Sequence, residues 1–146
     1  MDTIAPVFGA AAVNGATLTM TYNEAINGAA APQASSFSVV VDGAAVDVNA
    51  VAVAGQAVTL TLASAVLAGD VVLVSYTDPT TGNDALAIQD LAGNDAVSVL
   101  DAPVTNNKNT GTPPALVAGA AEVDGTTLTL TFNERVPSAS VCNEFF

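Results

Sequence analysis

The sequence has no histidine, no tryptophan, one cysteine and only two cationic side chains, Lys108 and Arg135, in 146 residues. Each shortage excludes a class of function. Without histidine there is no Ser-His-Asp or Cys-His relay, and Cys142 has no base to activate it as a nucleophile. A lone cysteine allows no internal disulfide and, with no imidazole beside it, no ordinary zinc site. Lys108 is the only lysine available as a base. Phosphate recognition needs clustered Lys and Arg, so no nucleic-acid partner is expected, and adhesion to an anionic membrane is disfavoured for the same reason. No apolar run approaches the roughly 18 residues of a spanning helix, so no membrane insertion is expected. Met1-Asp2-Thr3 opens neither a basic region nor an apolar core, so no signal peptide is expected there. With no Trp and two Tyr there is little aromatic surface for a sugar to stack on. Asp84 and Asp90 therefore read as plain loop carboxylates rather than as a glycosidase pair.

What the chain does have is acid and small aliphatic residues. Fourteen Asp and Glu give a formal net charge of −12, and the 51% of hydrophobic residues are mostly Ala and Val. Such side chains suit thin, regular sheets better than a deep pocket. An acidic surface favours solubility and draws divalent cations.

An internal repeat organises the chain. Residues 13–24 read VNGATLTMTYNE and residues 123–134 read VDGTTLTLTFNE, identical at eight of twelve positions and offset by 110. That offset is too long for a solenoid unit and fits a whole sandwich domain. The expected organisation is a complete repeat over 1–106, a polar linker over 107–114, and the truncated start of a second repeat over 115–146. Pro113-Pro114 should stiffen the linker towards an extended form.

Within the first repeat the hydrophobic period is two. Leu18, Met20 and Tyr22 alternate with threonines, so the apolar set should face a core and the threonines water. Thr59 and Thr61 alternate likewise with Val58, Leu60 and Leu62; a Thr array of this kind is read as strand propensity rather than as an ice-binding surface. Asp42-Gly43 separates SFSVVV from AAVDVNAVAV as a hairpin turn, and Asn14-Gly15 marks another. VVLVSY, ending at Tyr76, reads as a buried central strand, and a last strand runs through Val97, Val99 and Val104. The fold class is all-β, an Ig-like Greek-key β-sandwich of about seven strands. Residues 77–96 form a long loop, with one helical turn expected between Ala85 and Leu91.

VNGATLTMTYNEAI, the FSVVVDGAAVDV hairpin, AVTLTLASAVLAGDVVLVSYTDP and GNDALAIQDLAGNDA together resemble bacterial Ig-like repeats. The resemblance is to the SWM-type repeat of long cyanobacterial and other bacterial surface proteins. It covers nearly all of 3–106, restarts at about 112 and breaks off after Arg135. It implies an Ig-like fold, an extracellular or cell-surface setting, tandem arrays with neighbouring repeats as partners, and a non-catalytic role as spacer or adhesin stalk. A glycan-binding module and an accessory domain of a secreted enzyme are the competing expectations.

Sandwich topology gathers acids at one pole. The loop after the second strand, the long 77–96 loop and the chain's start, with Asp2, share that end. Concentrated carboxylates repel unless a cation sits among them. The expectation is calcium, a hard cation taking 6–8 oxygen ligands, at Glu24, Asp78, Asp84, Asp90 and Asn94 or Asp95. The competing expectation is that these residues make local turns by bonding their own backbone. In the second repeat, an apolar face of Leu128, Leu130 and Phe132 would be left exposed or paired with another chain, so self-association through the incomplete repeat is a further expectation.

Overall fold

A computed structural model of the chain describes residues 1–29, 31–108 and 115–132. Eight strands build the first repeat: β1 (Phe8–Asn14), β2 (Thr17–Tyr22), β3 (Phe37–Val41), β4 (Ala44–Val46), β5 (Val48–Ala54), β6 (Ala57–Leu62), β7 (Val72–Tyr76) and β8 (Val99–Asn106). Their hydrogen-bonded order is β4-β3-β7-β8-β1-β2-β6-β5. β1 is the hinge of this order. It pairs antiparallel with β2 and, further along, parallel with β8. A single ladder thus folds over at β1 into two facing halves, β1-β2-β6-β5 and β4-β3-β7-β8, the layout of an Ig-like sandwich.

The alternation read from sequence sets the faces. Leu18, Met20 and Tyr22 of β2 and Val58, Leu60 and Leu62 of β6 are buried, as are Phe37 and Val39 of β3 and Val72, Val74 and Tyr76 of β7. All belong to one core cluster, so the two halves close on each other. Phe37 and Tyr76 pack with ring centroids 5.3 Å apart, and Phe8 meets Tyr22 edge-on at 6.0 Å.

The strand count exceeds the expected seven because the stretch after Asp42-Gly43 is two strands rather than one. β4 pairs with β3, whereas β5 pairs with β6 in the other half. The chain changes halves at Asp47, whose carbonyl accepts from the Ala63 amide at 2.8 Å. The Asp42-Gly43 turn itself has φ of 51° and 84°, the doubly positive pattern of a type I′ hairpin turn that Asp-Gly suits.

No helical turn forms between Ala85 and Leu91. A tight turn closes from the Ala87 amide to the Asp84 carbonyl, and the segment continues as isolated bridges pairing Ile26 with Asp90 and Gln89 with Asp95. The reason lies in burial. Ala87 and Ile88 are wholly buried, and the Ile88 amide donates to the Tyr76 hydroxyl at 2.9 Å. An extended path lets this loop cap the open end of the core, with the Ile88 amide bonded to Tyr76 rather than to a carbonyl one helical turn back.

Beyond the first repeat, β9 (Leu116–Asp124) and β10 (Thr127–Phe132) form a two-stranded antiparallel hairpin. It pairs Asp124 with Thr127, Val123 with Leu128 and Glu122 with Thr129. Those pairs repeat Asn14–Thr17, Val13–Leu18 and Ala12–Thr19 of β1–β2. The two strands of this segment thus pair with each other. Its apolar residues remain uncovered as expected: Leu128 is 60% and Leu130 47% exposed, against 0% for Leu18 and Met20. The linker residues 109–114 and the end of the chain from 133 lie outside the described residues.

Equivalent positions should therefore respond differently to truncation. Met20→Ala is expected to cost about 2–5 kcal/mol by loss of transfer energy and cavity formation. Leu130→Ala should stay within about 0.5 kcal/mol. Urea denaturation of the two variants checks this.

Candidate metal centre at one pole of the sandwich

The acidic pole is assembled by strand ends. β1 and β2 run antiparallel, so the residues before β1 and those after β2 emerge together. The Val7 amide donates to the Asn23 side-chain oxygen at 2.7 Å, and the Asn23 amide returns to the Val7 carbonyl at 3.0 Å. The long loop joins them through the Ile26–Asp90 bridge and the Asn27 amide, which donates to the Gln89 carbonyl at 2.7 Å. Asn94 completes the junction. Its side-chain amide donates to the carbonyls of Asp2 and Ile4, each at 3.3 Å, and to the Asp90 carboxylate at 2.7 Å.

The result is a group of three carboxylates, Asp2, Glu24 and Asp90, with one oxygen of each within 4.8 Å of the others. They line a surface cleft with Ala25, Leu91 and Ala92. Of the ligands expected from the sequence, Glu24 and Asp90 are brought together, and Asn94 sits beside them as a donor to Asp90. Asp2, placed at this pole by the antiparallel start of the fold but absent from the expected ligand set, is the third carboxylate. The signal for it was the same antiparallel pairing.

Asp78, Asp84 and Asp95 belong to a neighbouring network in the first half of the loop. The Asp84 amide donates to the Asp95 carboxylate at 3.0 Å, and the Gln89 side chain donates to the same group at 2.7 Å. The Asp84 carboxylate accepts from the Thr80 hydroxyl and from the Leu86 amide. Asp78 accepts from the Thr80 amide, while its own amide donates to the Ser98 hydroxyl. Among the described residues, these three do not join Asp2, Glu24 and Asp90 in one ligand group.

Turn chemistry is present throughout. Asp2, Asp78, Asp84 and Asp90 each accept from the amide two residues on, the bond that lets Asp stabilise a turn by itself. Asp90 also accepts from the Asn94 amide at 2.8 Å. A carboxylate oxygen has further lone pairs after one such bond, so a turn aspartate keeps acceptor capacity towards a cation.

The two central acids respond oppositely to this setting. Desolvation, followed by the neighbouring charges of Asp90 and Asp2, raises the Glu24 pKa above its ordinary value. For Asp90, only 2% exposed, desolvation pushes upward, but hydrogen bonds from the Asn94 side chain and from the Asn94, Ala92 and Gly93 amides prevail and lower its pKa. Asp84 is lowered too, first by the Thr80 hydroxyl and then by the Leu86 amide. Asp90 is thus held as an anion that Glu24 must face.

The all-β sandwich, whose ladder passes from one half to the other at β1 and which carries a polar cap at one pole, is an Ig-like module. Residues 1–81 match the profile of the SWM repeat, described as a "putative flagellar system-associated repeat", and the chain belongs to that family. Two solved structures share the fold. One is the N-terminal part of the bacterial S-layer protein SbsC, with a TM-score of 0.56 and 18% identity, covering 77% of this chain and 25% of that one. The other is the S-layer protein rSbsC(31-844), with a TM-score of 0.54 and 20% identity, covering 77% of this chain and 15% of that one. This chain corresponds to a small part of either S-layer protein. No curated protein sequence matches it.

The signs of the two shifts predict opposite pH effects. The Asp90 pKa is lower folded than unfolded, so its stabilisation is present above the unfolded value and lost as pH falls through the folded one. Asp90→Asn should flatten the acid limb of a melting-temperature profile. The Glu24 pKa is higher folded than unfolded, so its contribution is favourable below the unfolded value and lost as pH rises through the folded one. In chelator at pH 7, Glu24→Gln should therefore melt at or above the parent temperature.

Proposed function

We propose that the chain is a structural spacer module of a long cell-surface repeat protein, non-catalytic, with its acidic pole stiffened by calcium. The observation that carries this reading is the recurrence of the β1–β2 hairpin as β9–β10, 110 residues on, with the same pairing from the turn as far as Met20 and Leu130. One supersecondary unit restarting after a short connection is how tandem arrays are built. The family description associates such repeats with flagellar systems and the fold is shared with S-layer proteins, which supports a setting outside the cell and a mechanical rather than chemical role.

Calcium fits the pole better than other ions. The donors are all oxygen, with no His in the sequence and no Cys among the described residues, which suits a hard cation. Asp2, Glu24 and Asp90 would supply the charged ligands, and Asn94 would hold Asp90 and the chain's start in place. Asp78, Asp84 and Asp95 serve this reading as the network that keeps the loop folded over the core. A cation there would tie the entry of the module to its two capping loops, so that an array bends less at each junction. Extracellular modules typically hold calcium at about 10⁻⁴–10⁻³ M, so the site would fill outside a cell and empty inside it.

Two measurements test the reading separately. At about 100-fold excess over the dissociation constant, calcium should add about 2.7 kcal/mol of stability relative to chelator, and the gain should vanish in Glu24→Gln. A melt indifferent to calcium removes the metal from the proposal. Antibodies raised against residues 1–106 should label intact cells of the source organism. Labelling seen only after permeabilisation removes the surface role.

A further inference from the structure

We propose that the β9–β10 hairpin acts as a donor element that takes the place of β1–β2 in the sandwich of a second copy of the chain. This stands apart from the calcium reading and uses the opposite end of the sequence.

The occupant of the exposed face is defined by the chain itself, because the same molecule contains the seat that covers an equivalent hairpin. In the first repeat, β2 lies against β6 through five paired positions and β1 lies against β8 through three. The apolar side chains between them face β3 and β7 in one core. β9–β10 presents the same hardware. Leu128 stands where Leu18 does and Leu130 where Met20 does, and Phe132 follows in the sequence where Tyr22 does, although it pairs with Leu116 across a register shift. The exchange of Met for Leu conserves volume, the kind of change a core accepts. The turns match as well, with φ of 62° at Gly15 and 59° at Gly125.

Charge permits the exchange. Glu122 and Asp124 pair with Thr129 and Thr127, on the face opposite Leu128 and Leu130. The face to be buried is therefore uncharged, like the seat of Val58, Leu60, Leu62, Val72 and Val74. Ala12, the counterpart of Glu122, lies on the outer face of β1, where a long acidic side chain reaches water.

Tyr22 gives the donor an advantage at one position. Its hydroxyl is buried with no hydrogen-bond partner, a state that costs stability. Phe132 brings the same ring without that group. In the donor hairpin, among the described residues, β9 and β10 pair only with each other, so the outer edges of both strands are free to bond β8 and β6 of the acceptor. Exchange of identical elements between copies is a low-cost route to association. Because each copy has a net charge of −12, association should strengthen as salt screens the repulsion.

The exchange replaces one hairpin by its equivalent, so it becomes visible when β1–β2 is weakened. Three full-length variants in chelator test it: Leu18→Asp, Leu128→Asp and the double variant. Leu18→Asp, with a charge at a fully buried position, should keep a β-sheet circular-dichroism spectrum and a cooperative melt while eluting as a dimer or larger species. Leu128→Asp should fold like the parent, and the double variant should be unfolded. An unfolded Leu18→Asp chain overturns the proposal, as does a folded monomer, which would mean the seat is filled from the same chain or not needed. A double variant as folded as Leu18→Asp overturns it equally, since the donor face would then be irrelevant.

Discussion

The dual pairing of β1 is the constraint on which the rest of the structure depends. Buried backbone groups need partners, and β1 finds them on both edges in different halves of the sandwich, β2 antiparallel and β8 parallel. Val13, wholly enclosed and the neighbour of Leu18, then lies where the two halves meet. On that side the ladder has no edge. On the other side it ends in β4 and β5, joined through Asp47, and β4 is only three residues long. A short edge strand is one of the devices by which sheets avoid unwanted pairing.

The acidic pole follows from the same pairing. Because β1 starts where β2 ends, Asp2 and Glu24 are brought to one place by backbone geometry before any side chain is considered. The loop adds Asp90 because Ile88 and Ala87 must fill the mouth of the core, which anchors the following residues directly above Tyr76. Burial also raises the pKa of Tyr76, to about 12, so its hydroxyl stays protonated and polar at any ordinary pH. The carboxylates at this pole are thus a consequence of how the core is capped.

How much of this was legible in the sequence depended on the range of the interaction. The faces of β2, β6 and β7 were readable because alternation over five or six residues is a local signal, and each buried side chain fell where period two put it. The Asp42-Gly43 turn was readable for the same reason. The break at Asp47 was not, because Ala, Val and Asn on either side carry the same strand propensity and only the partner strands differ. The 85–91 segment misled because its apolar residues suggested a helix by composition, whereas the hydroxyl of Tyr76, twelve residues away from Ile88, decides its path. At the pole, strand pairing and the Ile26–Asp90 bridge bring Glu24 and Asp90 together. The division of the remaining acids into a second network was set by partners such as Thr80, Gln89 and Ser98, whose bonds no spacing rule reveals.

The comparison between the two hairpins separates what local sequence determines from what the fold adds. Both have the glycine at positive φ and the same cross-strand register through Leu18 and Leu128, so twelve similar residues are enough to specify a turn and its pairing. Beyond Leu130 their registers part, and they differ above all in burial, which supplies most of the driving force for a sheet. An isolated two-stranded hairpin is at best marginally stable in water, so β9–β10 has a specified shape without, among the described residues, the cover that would stabilise it. A repeat that encodes its opening hairpin this strongly restarts in register wherever its sequence recurs. It also becomes interchangeable with every other copy of itself, because the signal that builds the array does not distinguish one seat from another.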